Sequence, residues 1–443
     1  MKKKLLAVIS ALALLLSICA CASEDAGVPS QDVPTQSPPA GSTLVPSSEP
    51  TIEPTPEPTP EPQPIVVHLM AAGDIMTHLP ITQDAYVAAF DEYDYSHMLT
   101  DAAKQLAQAD YAVANLETPL AGGPNSNYSG YPSFNAPDAL AYDVKNAGID
   151  LVSTANNHTR DRYMSGVYRT LDVLDEAGLA HVGSYRSQEE RDANTGIYVA
   201  DVGGISVAFL CYTYGLNGYT IPNDQRYAVN LYTLDYDRLE TYPYIPDYEL
   251  LTADLEAARA LNADLIAVLI HWGEEYYDTP RNSQIDLAQF LVGQGADLVL
   301  GNHPHVLEPY ETITVTGWDG QEREGFVSYS LGNFISNQYS SNAYRNIAVK
   351  TTAILDLELT KTPDGKASLT NVTYTPYFML HRDGAPAGDR RYLLNIHDAM
   401  AAYEAGDTSL VNAAAYQDLQ SALARCHNIL GAEGDAGQAL TVY

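Results

Sequence analysis

Basic side chains are scarce in this sequence. Lys and Arg together number 23 against 56 Asp and Glu, and the formal net charge is -33 at pH 7. A chain with this balance repels phosphate backbones, so its composition argues against nucleic acid as a partner and against polyanion binding by bulk attraction. An anionic ligand would need a local cationic or metal-bearing site.

Cysteine and phenylalanine are also rare, with 4 and 7 residues against 32 tyrosines. The cysteines lack zinc-finger spacing, which excludes a site of that type. Only Cys211 and Cys426 lie in the part of the chain that is expected to fold. A disulfide between them is one interpretation, but Cys211 lies in the apolar run "ISVAFLCYT", which favours a buried thiol on a strand.

Residues 1–21, "MKKKLLAVISALALLLSICAC", have the pattern of an export signal, with lysines, a short apolar stretch and then small residues. The ending resembles a bacterial lipobox, with Ala20 before Cys21. We expect cleavage before Cys21 and acylation of its thiol, and the alternative is a secretory signal with incidental cysteines. The expected location is the extracellular face of the bacterial cell membrane, with a lipid anchor.

Residues 22–64 are rich in Pro, Ser, Thr and Glu and end in the repeat "EPTPEPTPEPQP". Such a segment has too little apolar surface to offset its ordering entropy, so we expect a disordered linker. Its prolines favour an extended polyproline tether that reaches on the order of 100 Å at about 3.1 Å per residue.

The rest of the chain is long enough for one large α/β domain and an appendage. Over residues 65–337, apolar runs alternate with helical patterns, which predicts parallel strands joined by crossover helices. A later run of strand patterns predicts a second sheet, so the expected fold is a layered α/β/β/α sandwich. Residues 338–443 are expected to add strands that complete the domain and a C-terminal helical appendage.

Five of the predicted strands end in polar side chains, and ligands bind at the carboxyl ends of such strands. We expect all five ends on one edge of one sheet. Their carboxylate, amide and imidazole groups suit zinc, manganese or iron, and a glutamate can bridge two ions. The residues at these ends are Asp74, Asn115, Glu117, Asn156, Asn157, His158, Asp161, His271, His303 and His305.

Six motifs in this order, "GDIM", "NLETPL", "NNHTRD", "HWG", "GNHPHVLEP" and "SLGNF", resemble the bacterial CapA family. Members of that family are associated with capsule and poly-γ-glutamate synthesis, and their fold is related to the calcineurin-like metallophosphoesterases. The resemblance covers about residues 65–337. It implies that His158 is an outer-sphere or general-acid histidine and that the metal ligands are Asp74, Glu117, Asn157, His271, His303 and His305.

The sequence departs from the phosphoesterase pattern at three positions. Met76 stands where that pattern has a histidine, and a thioether is a poor ligand for a hard dication. Glu117 replaces a bridging aspartate, and Thr159 replaces an acid. The expected centre therefore has one well-formed site, made by Glu117, Asn157, His271 and His303, and a second site that is weak or vacant, made by Asp74 and His305.

Several of these residues also have structural interpretations. Asp74 could be a helix N-cap, Asn115 a turn-former and Glu117 a solvated side chain. His271 could pack in the core, whereas two nearby histidines after a buried strand have few structural uses. For substrate contacts the candidates are Arg160, Arg345 and Asn333, although Asn333 could equally support a turn.

Two functions are consistent with these observations. One is a metal-dependent hydrolase or transferase that acts on a phosphoester or a γ-glutamyl amide, with His158, oriented by Asp161, passing the proton to the leaving group. The other is a non-catalytic surface factor that binds an anionic polymer through a former enzyme pocket. Membrane-bound capsule-synthesis proteins are candidate partners for either function.

Overall fold

The structure, a computed structural model, describes residues 62–437 apart from 125–126, 194 and 238–242. The predicted signal segment, the predicted lipidation site Cys21 and residues 22–61 of the predicted linker lie outside the described residues. Strands occupy β1 Ile65–Ile75, β2 Tyr86–Val87, β3 Glu92–Tyr93, β4 Tyr111–Leu116, β5 Leu151–Ser153, β6 Ala180–Val182, β7 Tyr198–Val202, β8 Ile205–Thr213, β9 Leu265–His271, β10 Leu298–Asn302, β11 Leu307–Thr316, β12 Glu322–Leu331, β13 Asn333–Ile335, β14 Thr351–Lys361, β15 Ala367–His381 and β16 Arg391–Asn395. Helices occupy α1 Leu79–Ala85, α2 Ser96–Leu106, α3 Ala139–Asn146, α4 Tyr163–Ala177, α5 Gln188–Ala193, α6 Tyr248–Ala260, α7 Asn282–Gly293, α8 Ala343–Ala348, α9 Ile396–Glu404 and α10 Ala413–Leu430.

The strands form two large sheets. The first has the order β16-β15-β14-β1-β4-β5-β6, with β13 beside β1, and its strands β1, β4, β5 and β6 run parallel. The second has the order β11-β12-β10-β9-β8-β7, and its strands β8, β9, β10 and β12 run parallel. Each sheet therefore brings several carboxyl ends to one edge.

Apolar side chains fill three layers around these sheets. Leu69 and Val113 of the first sheet share a buried core with Phe209 and Leu269 of the second, so the sheets pack face to face. Leucines of α2, α3 and α4 cover the outer face of the first sheet, and leucines of α6 and α7 cover the outer face of the second. The predicted α/β/β/α sandwich is confirmed.

The C-terminal helices lie against strands of the first sheet. Residues of α9 and α10 form an apolar cluster with Phe378 and Leu394 of β15 and β16. Near the end of α10, Cys426 and Leu430 join the core between the sheets. The predicted helical appendage is thus present and packed. In the described part of the chain, every helix is too short or too polar to cross a membrane.

The structure corrects three predictions about the order of elements. The five polar strand ends belong to two sheets, since β1, β4 and β5 lie in the first and β9 and β10 in the second. The later strands do not form a sheet of their own, because β11 and β12 join the second sheet while β14 to β16 extend the first. Residues 346–348, predicted as the start of a strand, belong to α8, and β14 begins only at Thr351.

Cys211 and Cys426 are both free and buried, so the alternative of a disulfide between them is wrong. The predicted buried thiol on a strand is confirmed for Cys211, which lies in β8.

A close backbone contact fixes the end of β1. The amide of Asp74 donates to the carbonyl of Gly332 at 2.9 Å. A Cβ atom on the preceding Gly73 would lie 1.9 Å from the same oxygen, so only glycine fits there. Gly332 has a φ of 70°, a conformation that favours glycine, so the chain turns tightly within "SLGNF". The turn holds Asp74 at the edge where the two sheets meet.

Candidate metal centre

The polar strand ends of the two sheets face each other across a short gap. Asn157 follows β5 of the first sheet, and its Oδ1 lies 2.9 Å from Nε2 of His271, the last residue of β9 in the second. Asp74 in β1 has Oδ2 3.2 Å from Nδ1 of His305. The carboxyl ends of both sheets therefore converge at one site, and each side of the sandwich supplies part of it.

The turn "HPH" after β10 holds both of its histidines in unusual backbone conformations. The φ angle is 103° at His303 and 59° at His305, in the region that L-residues rarely adopt. Such strain costs on the order of 1–3 kcal/mol per residue and persists where the surroundings enforce it, most often at ligand sites. Both imidazoles are almost completely buried. His303 Nδ1 lacks a hydrogen-bond partner within the described residues.

Glu117 lies between the histidines of this turn and His271. Its Oε1 is 3.4 Å from His271 Nε2 and 4.0 Å from His305 Nε2. The side chain is fully buried, and Oε1 has no hydrogen-bond partner among the residues the structure describes. Burial raises the pKa of Glu117 well above its usual value, and the charge of Asp74 adds to this effect. The solvated alternative for Glu117 is wrong.

These spacings test whether the residues fit a metal ion. Two ligand atoms bound to one ion at about 2.1 Å lie roughly 3.0–3.4 Å apart. The separations of His271 Nε2 from Asn157 Oδ1 and from Glu117 Oε1, 2.9 and 3.4 Å, are close to that range. A buried carboxylate oxygen and a buried imidazole nitrogen that lack hydrogen bonds are atoms that a cation would satisfy. The donor set therefore fits a divalent metal.

In the part of the chain that the structure describes, three groups of residues place their ligand atoms within 4.8 Å of one another. The first contains three members of the predicted well-formed site, and the fourth, Asn157, lies beside it, with Oδ1 2.9 Å from His271 Nε2. The third contains the predicted weak site and shares Glu117 with the first. The groups are Glu117, His271 and His303; Glu275, His303 and His305; and Asp74, Glu117 and His305.

Burial sets the charge states of the histidines. It lowers the pKa of His271 to about 3 and the pKa of His303 well below its usual value, so both rings are neutral at pH 7 and offer lone pairs to a metal. Burial also opposes the charge of His305, but Glu117 and Asp74 outweigh it and raise its pKa to about 9. Burial opposes ionisation of Asp74, yet the hydrogen bond and charge of His305 lower its pKa.

Asn115 lies at the centre of the site and does not form a turn as predicted. It lies in β4, and its Nδ2 donates to Asp74 Oδ1 at 2.8 Å and lies 3.4 Å from His271 Nδ1. Its Oδ1 accepts from Ser153 Oγ at 2.9 Å and from Asn156 Nδ2 at 3.3 Å. Asp74 lies inside β1, so its alternative as a helix N-cap is also wrong.

His158 lies beside the centre and is oriented by Asp161. Its Nδ1 is 2.7 Å from Asp161 Oδ2, and both side chains are buried. The amide of Phe134 donates to the same carboxylate oxygen at 2.7 Å. Thr159, the departure from the phosphoesterase pattern, accepts from the amide of Asn156 at 2.9 Å and closes the loop that carries His158.

A cavity of about 700 Å³ opens onto this site. Asn157, His158 and His303 line it, so the ring of His158 and the candidate ligands share one space. Glu274 and Glu275 contribute acidic groups to the wall. Much of the wall is aromatic, which is typical of sites that bind extended or ring-shaped ligands. The lining tyrosines are Tyr131, Tyr214, Tyr219, Tyr236, Tyr244 and Tyr276.

Two of the three predicted substrate-contact residues lie against tyrosines that line the cavity. The guanidinium carbon of Arg160 is 5.8 Å from the ring centre of Tyr219, and that of Arg345 is 5.2 Å from the ring centre of Tyr276. Asn333 is buried and donates to Val349 O at 2.9 Å, which supports the turn interpretation. None of the three is among the described residues that line the cavity.

Two residues near the first strand end do not join the candidate ligands. Met76 is buried, and its amide donates to Ile335 O at 2.8 Å. His78 Nδ1 accepts from the amide of Asn337 at 3.3 Å, and its ring lies edge-on to Phe134. The position that carries a histidine in the phosphoesterase pattern is therefore filled by an apolar side chain.

Comparison with known proteins places the chain in a family. The family model described as "Bacterial capsule synthesis protein PGA_cap" matches residues 68–338. The chain belongs to this family. The matched region contains all of the candidate metal ligands, and the resemblance to CapA inferred from the six motifs is confirmed.

Two relatives carry related names. The chain is 28% identical over 251 residues to "Capsule biosynthesis protein CapA" of Bacillus anthracis, which covers 56% of each chain. It is 29% identical over 232 residues to "PGA biosynthesis protein CapA" of Bacillus subtilis (strain 168), which covers 52% of this chain and 54% of the relative. The chain thus spans about half the length of the curated relatives it matches.

Solved structures with a similar fold include two bacterial proteins. The NAD nucleotidase NadN of Haemophilus influenzae matches with a TM-score of 0.43 and 11% identity, over 85% of this chain and 66% of that one. The calcineurin-like phosphoesterase YfkN of Bacillus subtilis matches with a TM-score of 0.37 and 15% identity, over 71% of this chain and 91% of that one. Similarity at these levels says nothing about the chemistry of the site.

Within the PGA_cap region, sequence reasoning missed Glu275 and gave the wrong role to Asn115. Glu275 follows β9 in "HWGEEYY", where a pair of acids directly after a strand end was a usable signal. Asn115 in β4 and Glu117 just after it are two positions apart, a spacing that also indicated a shared site, and Asn115 Nδ2 lies 3.4 Å from Glu117 Oε2. The ring centre of Tyr214 lies 4.7 Å from that of His303, but no pattern in the sequence indicated this contact.

Proposed function

We propose that this PGA_cap protein is a metal-dependent hydrolase or transferase that acts on an anionic capsule-type polymer, either at a phosphoester or at a γ-glutamyl amide. The observation that carries the proposal is the buried, unbonded Oε1 of Glu117 between His271 and His305. A carboxylate kept there without a cation would be costly, and a bridging metal ligand explains it.

Glu117, Asn157, His271 and His303 would hold the first ion, which is zinc, manganese or iron. When bound, the metal would polarise the scissile group and lower the pKa of a bound water. The neutral imidazoles of His271 and His303 are ready to bind it without losing a proton. Asp74 and His305 belong to the side that was predicted to be weak.

His158 is proposed to transfer the proton. Its Nδ1 is held by Asp161 Oδ2 at 2.7 Å, which leaves Nε2 as the nitrogen available to exchange a proton in the cavity. The buried carboxylate fixes the ring, so His158 can protonate a leaving group and later recover the proton from water. Asp161 acts through His158 and does not touch the reacting atoms.

The charge distribution suggests that an anionic polymer is attracted only at the metal centre and at nearby cations. The chain carries a net charge of -33, and the cavity wall adds Glu274 and Glu275. An anionic chain would therefore be drawn in by the metal and by the few cations at the rim, of which Arg160 and Arg345 are candidates. Two relatives that the chain resembles are named for capsule or PGA biosynthesis, which favours a polymer over a small metabolite.

The sequence pattern of residues 1–64 supports a location for this activity. We propose that the chain is exported, acylated at Cys21 and tethered by the proline-rich linker at the outer face of the bacterial cell membrane. Membrane-bound capsule-synthesis proteins are the proposed partners at that surface. A site on a long tether could reach polymer as it emerges, because the reach is on the order of 100 Å.

Met76 favours a second function. If the Asp74 side lacks an ion, the centre holds a single metal and is suited to binding carboxylates without turnover. In that case the protein would be a non-catalytic factor that binds or transfers the polymer.

The deciding experiment is a turnover assay with the full chain loaded with zinc, manganese or iron. Phosphomonoesters, phosphodiesters and γ-glutamyl peptides are the substrates, and Glu117→Gln is the inactive reference. Turnover by the wild type that Glu117→Gln lacks supports the enzyme. Polymer binding without turnover on any of these substrates supports the second function.

A further inference from the structure

The turn after β9 is fastened to the "HPH" turn after β10. The amide of Tyr276 donates to the carbonyl of Pro304 at 2.8 Å. Gly273 and Tyr276 have φ angles of 84° and 69°, so the chain bends back sharply on both sides of the segment between them. A tyrosine in this conformation is strained and is held only where its surroundings enforce it. This hydrogen bond between the two turns therefore keeps Glu275, just before Tyr276, beside the two histidines.

The side chain of Tyr276 makes further contacts that hold this turn in place. The ring of Tyr276 packs against Val306, Ala348 and Val349, and its hydroxyl accepts from Gln338 Nε2 at 3.4 Å. Arg345 lies over the same ring at 5.2 Å. The position of Glu275 is thus determined by packed neighbours on several elements.

Glu275 brings a carboxylate beside the two histidines of the "HPH" turn. Its ligand atom lies within 4.8 Å of those of His303 and His305. His305 also belongs to the group formed with Asp74 and Glu117. Within the described residues, these shared members connect Glu275 to both halves of the centre.

We propose that Glu275 is a metal ligand that compensates for Met76 and, with Asp74, Glu117 and His305, holds a second divalent cation. This assignment rests on the proposed metal-dependent function. It makes the second site rich in carboxylates, with one imidazole, which is a donor set that favours a hard ion such as Mn²⁺. The expected centre therefore holds two ions.

Charge balance supports the same assignment. The carboxylates of Asp74, Glu117 and Glu275 belong to two groups that share His305, and nearby carboxylates repel one another when no cation lies between them. Glu274, the adjacent acid, forms an ion pair with Arg281 at 2.9 Å. Glu274 therefore has its own counterion outside the centre, whereas no ion pair of Glu275 is found among the residues that the structure describes.

The test compares Glu275→Gln with Glu274→Gln in the full chain, with Mn²⁺ as the probe. Each protein is stripped of metal and titrated, and the bound Mn²⁺ is counted by elemental analysis and by the electron paramagnetic resonance signal of coupled ion pairs. The wild type and Glu274→Gln should bind about two ions with a coupled signal. Glu275→Gln should bind the second ion at least about tenfold more weakly and lose the coupled signal.

Two results would overturn the assignment, and only the second would also overturn the proposed metal-dependent function. If Glu275→Gln binds two ions with wild-type affinity and keeps the coupled signal, Glu275 is not a ligand, while the metal-dependent function stands. If the wild type binds no metal, the proposed function fails together with the assignment. A urea midpoint equal to that of the wild type, measured without metal, shows that the Gln variants are folded.

Discussion

Asn157 Oδ1 lies 2.9 Å from His271 Nε2, although the two residues are 114 positions apart in the chain. One follows a strand of the first sheet and the other ends a strand of the second. The contact shows that the candidate metal centre is built across the sandwich, at the edge where the two sheets meet. Its geometry therefore depends on how the sheets pack.

Replacing His158 with Asn should abolish turnover and leave the metal in place. The ring lies beside the candidate ligands and is held by Asp161, so its loss removes a proton donor without removing a ligand. We expect kcat to fall by a factor of about 10² to 10⁴, on whichever substrate the wild type hydrolyses. Steady-state kinetics and elemental analysis of the same samples measure both quantities.

His181→Asn is the matched control for this variant. His181 also pairs with an aspartate, Asp175 at 3.1 Å, but it lies outside the cavity. The His181→Asn variant should keep wild-type turnover. Loss of metal from His158→Asn would show that His158 is a ligand or supports one, and unchanged turnover would exclude it from proton transfer.

Replacing Asn115 with Ala should weaken both the fold and the metal centre. The change removes the hydrogen bonds that Asn115 makes with Asp74, Ser153 and Asn156 in a buried site, and each buried polar atom left unpaired costs about 1–3 kcal/mol. Because Asn115 also orients Asp74, metal affinity should fall by about 10- to 100-fold. Urea unfolding without metal and a Mn²⁺ titration measure the two effects.

Asn371→Ala, at an exposed position of β15, is the control for Asn115→Ala and should change neither quantity. If Asn115→Ala keeps full metal affinity, Asn115 does not support the ligands.

Replacing Glu308 with Gln should make the protein more stable at alkaline pH. Glu308 accepts from Gln284 Nε2 at 2.7 Å, and its other oxygen lacks a hydrogen-bond partner among the described residues. Burial raises its pKa from 4.5 to about 8 in the folded state. Between these values the folded state holds a proton that the unfolded state has released, so the free energy of unfolding falls as pH rises.

Between pH 4.5 and pH 8, Glu308 lowers the free energy of unfolding by at most about 1.4 kcal/mol for each unit by which the pH rises. Urea unfolding of metal-free protein from pH 5 to pH 8.5 should show that Glu308→Gln loses less stability than the wild type over this interval. The exposed Glu322→Gln should follow the wild-type curve. Parallel curves for Glu308→Gln and the wild type would mean that Glu308 titrates normally.

Local patterns in the sequence were sufficient to predict most of the elements and most of the candidate ligands. Buried strands such as β9 and β10 are continuous apolar runs, and the histidines that follow them stand out against that background. The pairing of strands was less accessible, because β14 to β16 join the first sheet through contacts distant in sequence. The prediction of one sheet edge was wrong because β9 and β10 pair with β8 and β12 in the second sheet and not with the strands of the first.

Residues whose roles depend on a loop conformation were the hardest to predict. Glu275 reaches His303 and His305 because the backbone turns at Gly273 and Tyr276, which the residue order does not reveal. Asn115 was interpreted from its type, which favours turns, whereas its place inside a strand depends on the apolar residues around it.

Metal content of the full chain, purified without chelators, tests the central claim most directly. Elemental analysis should find about one or two equivalents of zinc, manganese or iron in the wild type, and the same in His68→Ala, whose half-exposed ring lies outside the centre. The double variant His303→Ala/His305→Ala should contain almost none. A wild type without metal, or a double variant with wild-type metal content, would contradict the account.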